Sequence, residues 1–174
     1  PVVGANVSGL VTIQATAADN GGGSGVRNVT FWDGVPGIGV KLGTGFSVPY
    51  TTSWSTGPSD DGAHTLYVRA VDRAGNRLNS TGVAITIDNT APTTATITQP
   101  TAGSAWRGTF IINATAADNA GGSGIASVQF WDGPPGTGTL LETATTAPYQ
   151  YIWATTPAND GAHTLYVRAV DRAG

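Results

Sequence analysis

The chain has 174 residues and a formal net charge of -3, with 11% charged residues against 40% hydrophobic ones. Its 8 Lys+Arg make no basic surface for nucleic acid, and with no Cys there is no disulfide framework, thiolate metal site or Cys nucleophile. No stretch approaches the roughly 18 uninterrupted apolar residues of a membrane-inserted helix, yet the apolar content and the Trp residues suffice for a packed core.

Taken in chain order, no segment keeps a helical period. Short alternating runs lie between clusters of Gly, Pro, Asn and Asp, the pattern of a sandwich or barrel. Val11, Ile13, Ala15 and Ala17 share one strand face, and Val29 and Phe31 share the next. Leu42 marks a short strand after the Val35-Pro36-Gly37-Ile38-Gly39 turn. Tyr50, Thr52 and Trp54 alternate on another. Leu66, Val68 and Ala70 follow the Asp60-Asp61-Gly62 turn, and Val83, Ile85 and Ile87 form the last strand. Alternation with polar partners predicts antiparallel sheets with one wet face.

The pattern then repeats. Ala15-Thr16-Ala17-Ala18-Asp19-Asn20 recurs as Ala114-Thr115-Ala116-Ala117-Asp118-Asn119, and Phe31-Trp32-Asp33-Gly34 as Phe130-Trp131-Asp132-Gly133. The run from Asp61 to Gly75 recurs unchanged from Asp160 to Gly174. The offset is about 99 residues without a gap, the size of a small domain and not of a solenoid unit. Two domains are expected, 1–91 and 92–174, with the joint around Asp88-Asn89-Thr90-Ala91-Pro92-Thr93. The second copy has no counterpart of Asn76 to Ile87, and so lacks its last strand. The first has no counterpart of Thr94-Ala95-Thr96-Ile97-Thr98. Two explanations fit: a window from a longer tandem array, or a subunit that lends or borrows an edge strand across a polymer interface. The absent Met and the start at Pro1-Val2-Val3-Gly4, which is neither basic nor apolar, read as a mature product or an excised segment.

About seven strands in about 95 residues is the size of an immunoglobulin-like β-sandwich. The motifs ATAADN before a Gly-rich turn, VTFWDG, APYQYIWATTP, DGAHTLYVRAVDRAGN and VAITIDNTAPT span nearly the whole chain. With these the chain resembles tandem bacterial immunoglobulin-like domains of large secreted and surface proteins. The resemblance implies an all-β tandem of sandwiches without the Cys pair of antibody domains. It also implies a place in stalks, adhesin segments or enzyme accessories. Low charge, abundant Thr, Gly and Asn, and the lack of sulfur residues fit the same extracellular, bacterial setting.

Five sets of residues could carry chemistry. His64 and His163 each follow Asp-Gly-Ala at a strand start, with Asp60 and Asp61 near the first. No Ser nucleophile with a distinctive motif accompanies them, so a loop-capping role is expected and an enzyme is not. Asp60, Asp61, Asp88, Asn89, Asp118, Asn119 and Asp171 would converge near the joint if the strands follow immunoglobulin order, a cadherin-like arrangement for interdomain calcium. Against calcium, Asp, Asn and Gly are ordinary turn residues, and the carboxylates are few for a coordination number of six or more. No other cofactor is expected. Trp32 and Trp131 point away from Phe31 and Phe130, where they could stack on a sugar or a neighbouring chain, or simply cover their own sheet. Lys41 is the only Lys, and a self-formed amide crosslink there would need burial beside a carboxyl. Asn6, Asn28, Asn79 and Asn113 match the N-glycosylation pattern, which a Thr- and Asn-rich composition produces by chance.

The expected role is structural: a spacer and assembly unit of an extracellular stalk, filament or adhesin. Its partners would be neighbouring repeats or copies of the same protein. The alternative is a module binding a surface glycan or a protein through Trp32, Trp131 and the loops.

Overall fold

The alternating runs become strands in two bodies, Pro1–Asn89 and Thr90–Arg172, in a computed structural model that describes residues 1–174. The first body holds β1 (Ala5–Val7), β2 (Leu10–Ala15), β3 (Val26–Asp33), β4 (Val40–Gly45), β5 (Tyr50–Ser55), β6 (Gly62–Asp72), β7 (Arg77–Asn79) and β8 (Val83–Ile87). One sheet runs β1-β8-β6-β3-β4, with β7 also on β6, and β2 pairs with β5 in the other. All pairs are antiparallel except β1 with β8.

The two sheets close over one core. Val11 and Ile13 from β2 and Tyr50 from β5 meet Val29 and Phe31 from β3, Leu66 from β6, and Ile85 and Ile87 from β8. Val29, Phe31 and Ile87 are completely buried. Removing each such side chain from water contributes about 1.5–3 kcal/mol, which offsets the entropy lost on ordering the strands. Leu42 reaches this core through a register shift between Phe31 and Trp32, where β3 skips one residue of β4. The same shift between Phe130 and Trp131 places Leu141 in the second body.

The second body holds β9 (Thr94–Gln99), β10 (Thr109–Ala117), β11 (Ile125–Asp132), β12 (Thr139–Ala144), β13 (Tyr149–Ala154) and β14 (Leu165–Asp171). Its sheets are β13-β10-β9 and β12-β11-β14. Phe110, Ile112, Ala114, Val128, Phe130 and Trp153 form its core.

The bodies differ where a strand lacks its neighbour. Ala114 to Ala117 of β10 pair with β9; the matching stretch in the first body has no such partner, and β2 stops at Ala15. The second body has nothing in the β8 position. There the counterparts of β1 (residues 104–106) and of the first part of β6 (residues 161–164) are not strands. A strand is held by ladder bonds to its neighbour, so losing one central strand unmakes the two that flank it.

Three strands, β1, β7 and β9, are additional to the runs expected from alternation. β1 and β7 are 3 residues long, too short to show a period. β7 follows a turn in which Asp72 accepts hydrogen bonds from the Asn76 backbone N–H at 2.8 Å and its side-chain amide at 2.7 Å.

Phe31→Ala is expected to destabilise the first body by about 3–5 kcal/mol, through lost burial plus a cavity. Urea unfolding should show that body's transition move while the second body's stays in place. An unmoved first transition would mean that Phe31 does not hold the sandwich together.

Candidate functional site

His64 sits at the start of β6. Its Nδ1 lies 2.8 Å from Asp33 Oδ2, and its Nε2 lies 2.7 Å from the Asp60 carbonyl oxygen. Both partners offer acceptor oxygens, so the geometry favours the protonated ring, in which both nitrogens donate. Trp54 meets the ring at a near-perpendicular angle, with centroids 5.3 Å apart. The second body repeats the arrangement. His163 lies 2.7 Å from Asp132 Oδ2 and 2.7 Å from the Asn159 carbonyl, beside Trp153 at 5.2 Å.

Each histidine clips three pieces together: the end of one strand, a short 3-10 turn (Pro58–Asp60 or Pro157–Asn159) and the segment that follows the turn, which is the start of β6 at His64 and the approach to β14 at His163. At His64, burial pulls the pKa down. The hydrogen bonds with Asp33 and the Asp60 carbonyl, and the negative charges of Asp33 and Asp60, outweigh it, so the pKa is raised. At His163 the hydrogen bond to the Asn159 carbonyl leads the rise, followed by Asp132, against a smaller effect of burial.

Trp32 and Trp131 lie half-buried on the outer faces of β3 and β11, each beneath a guanidinium. Arg69 lies 5.8 Å from the Trp32 ring centroid and is fixed by Asn79 Oδ1 at 2.8 Å and the Pro36 carbonyl at 2.6 Å. Trp32 Nε1 donates to Thr30 Oγ1 at 2.8 Å. Arg168 lies 5.6 Å from the Trp131 ring and bonds Gln129 Oε1 at 2.9 Å. Trp131 Nε1 is buried without a hydrogen-bond partner. Lys41 is exposed, without the burial that a crosslinking lysine requires.

The predicted calcium residues divide between the bodies. In the first, Asp60 Oδ2 accepts from the Gly57 N–H at 2.8 Å, and Asp61 Oδ1 accepts from the Asn89 N–H at 2.6 Å. Asn89 Oδ1 takes the Gly9 N–H at 2.7 Å, and its Nδ2 reaches the Gly57 carbonyl at 3.0 Å. Asp88 is 2% exposed. In the second, Asp118 receives the Asn119 and Gly124 N–H groups at 3.0 and 2.6 Å. Asp19 caps the matching turn of the first body through Asn20 and Gly25. Carboxylate oxygens of Asp118 and the buried Asp171 lie within 4.8 Å of each other. Asp60, Asp61 and Asp118 each spend carboxylate oxygens on backbone N–H groups.

A cavity of about 860 Å³ opens in the second body between Trp106, Phe110, Trp153, His163 and Leu165. Trp106 stacks on Phe110 at 5.4 Å and is 56% exposed. The sequence pointed to Trp32 and Trp131 and not to this pair of indoles. The signal that could have found the cavity was the missing counterpart of Gly82 to Ile87, because those residues fill the same place in the first body.

The clips fix the sign of a pH effect. A histidine whose pKa is raised on folding contributes stability that is full below 6.5 and is lost as pH rises through the folded value. The melting temperature is expected to fall by a few degrees between about pH 6 and pH 9. In the variant His64→Gln/His163→Gln that slope should flatten. An equal slope in the variant would rule the clips out as its source.

Comparisons with known proteins agree with this geometry. The bacterial Ig domain family matches residues 1–68 and 92–167, one match in each body. The fibronectin(III)-like modules of Clostridium thermocellum CbhA are 25% identical, with a TM-score of 0.58 over 99% of this chain and 84% of that one. Domains A168–A170 of titin, at 14% identity, share the fold with a TM-score of 0.53 over 99% of this chain and 57% of that one. No curated protein matches. Domains of this kind are typically non-catalytic modules, common in surface or secreted proteins, and no helix here is long and apolar enough to cross a membrane. The chain belongs to the bacterial Ig domain family and carries two tandem copies of its β-sandwich.

Proposed function

We propose that this chain is a structural repeat module of an extracellular bacterial stalk, fibre or adhesin, acting as a spacer and assembly unit. The observation that carries this reading is the duplicated histidine clip. Two bodies in one chain keep the same buried Phe, the same His–Asp–carbonyl contact and the same edge-on Trp. What is held constant between the copies is therefore the set of contacts that fastens loops to strands. A spacer needs that, because its task is to stay folded and keep its length.

The binding alternative rests on Trp32 and Trp131. Each already offers a ring face to an arginine of its own sheet, which uses the surface a sugar would stack on.

In the parent surface protein, exchanging this segment for two unrelated sandwiches of equal length is expected to preserve attachment or assembly. Trp32→Ala/Trp131→Ala should leave it unchanged. Loss of attachment in the Trp variant, with its fold intact by circular dichroism, would establish the binding reading instead.

A further inference from the structure

The outer face of the first body's larger sheet carries cations and no acid. Trp32 points outward, since Phe31 beside it is fully buried, and the register carries that face across the neighbouring strands. Lys41 of β4 stands opposite Trp32, Arg69 of β6 opposite Thr30, and Arg77 of β7 opposite Val71, two residues along from Arg69. Arg27 is exposed near the start of β3, at the residue that the pairing with β6 skips. By strand spacing the group spans about 20 Å from Lys41 to Arg77. The acids of this body are engaged elsewhere. Asp19 caps a turn, Asp33 holds His64, Asp60 and Asp61 hold Gly57 and Asn89, Asp72 holds Asn76, and Asp88 is buried. Cations gathered on one face repel each other, and an anion that meets them removes that cost.

The second body keeps only the centre of this arrangement. Arg168 lies over Trp131 as Arg69 lies over Trp32. Ala126 and Leu140 stand where the first body has Arg27 and Lys41, and Glu142 stands where it has Gly43. The Arg–Trp pair is therefore common to both copies, and the flanking cations belong to the first alone.

We propose that this face is a docking surface for an acidic polysaccharide, a glycan chain that carries carboxylate groups. Arg69 sits at its centre. Trp32 lies beneath the guanidinium, while Nε and Nη2 are tied to Asn79 and the Pro36 carbonyl. Its Nη1 is left to meet a carboxylate from a fork already held in place. Lys41, Arg77 and Arg27 add charge around it. Thr30, Thr44 and Tyr67, on the same face, offer hydroxyls suited to those of a sugar chain. A sheet face fits an extended polymer of repeated charge, whereas a small ligand needs a cleft. A nucleic acid strand would want a free aromatic face for its bases, and Arg69 covers that of Trp32. Trp32 here supports Arg69, so docking needs no sugar stacked on the indole. The inference adds to the spacer role and does not depend on it, since binding is read on the isolated chain.

The test measures binding of the full chain to polygalacturonate, to neutral dextran and to a DNA duplex, at low and high salt. Polygalacturonate should bind at low salt and be released as salt rises, while dextran should not bind. Arg27→Ala/Lys41→Leu gives the first body the residues that the second already folds with. That variant should keep its circular dichroism and bind at least about tenfold more weakly. Arg107→Gln/Arg168→Gln removes the same charge from the second body and should bind as the parent chain does. No binding of polygalacturonate at low salt would overturn the proposal. So would an equal loss in the two variants, which would make the effect one of net charge. DNA bound as tightly as polygalacturonate would overturn the assignment to a glycan. The spacer role would stand in each case, because exchange of the segment in the parent protein tests it separately.

Discussion

Backbone pairing is the constraint on which this structure depends. A strand keeps its form only while its N–H and C=O groups meet a neighbour or water, and a central strand serves two neighbours at once. β8 shows the rule by its presence in one body and its absence in the other. With it, residues 5–7 and 62–65 are strands; without it, residues 104–106 and 161–164 are not, although the latter run is identical in sequence to residues 62–65. Local propensity is therefore outweighed here by whether a partner is there.

The rest of each sandwich is held by its core and its turn contacts. The inner faces hold Val29 and Phe31, or Val128 and Phe130, with no exposure at all. The loops are fastened by charge-assisted contacts at fixed places: Asp19 and Asp118 take the N–H groups of a Gly-rich turn, and His64 and His163 tie a 3-10 turn to the end of β3 or β11. This division of labour suits a repeated module. The core supplies cohesion, the clips define where one strand ends and the next begins, and neither needs disulfides.

Some of this was legible in the alternation alone. Val11 and Ile13, Val29 and Phe31, Tyr50, Leu66, and Ile85 and Ile87 are all buried as their parity predicts, because period-two patterning is the direct image of a sheet with one wet face. The strands β1 and β7 were not legible. Each is 3 residues long, and β1 exists only through a parallel partner some 80 positions away in sequence. The site was half legible. A loop-capping histidine could be read from its position after Asp-Gly-Ala. Its partner Asp33, 31 positions earlier, could not, since only the pairing of β3 with β6 brings the two together.

The sequence by itself determined the class of fold, the two copies, the inward residues and the stretch for which the second copy has no match, because these follow from periodicity and repetition along the chain. Only the tertiary structure decided which distant strands pair and so which side chains meet, as Asp33 and His64 do through β3 and β6. The physical reason is that hydrogen-bond partners in a sheet are chosen across space, so the state of a segment depends on residues its own sequence does not contain.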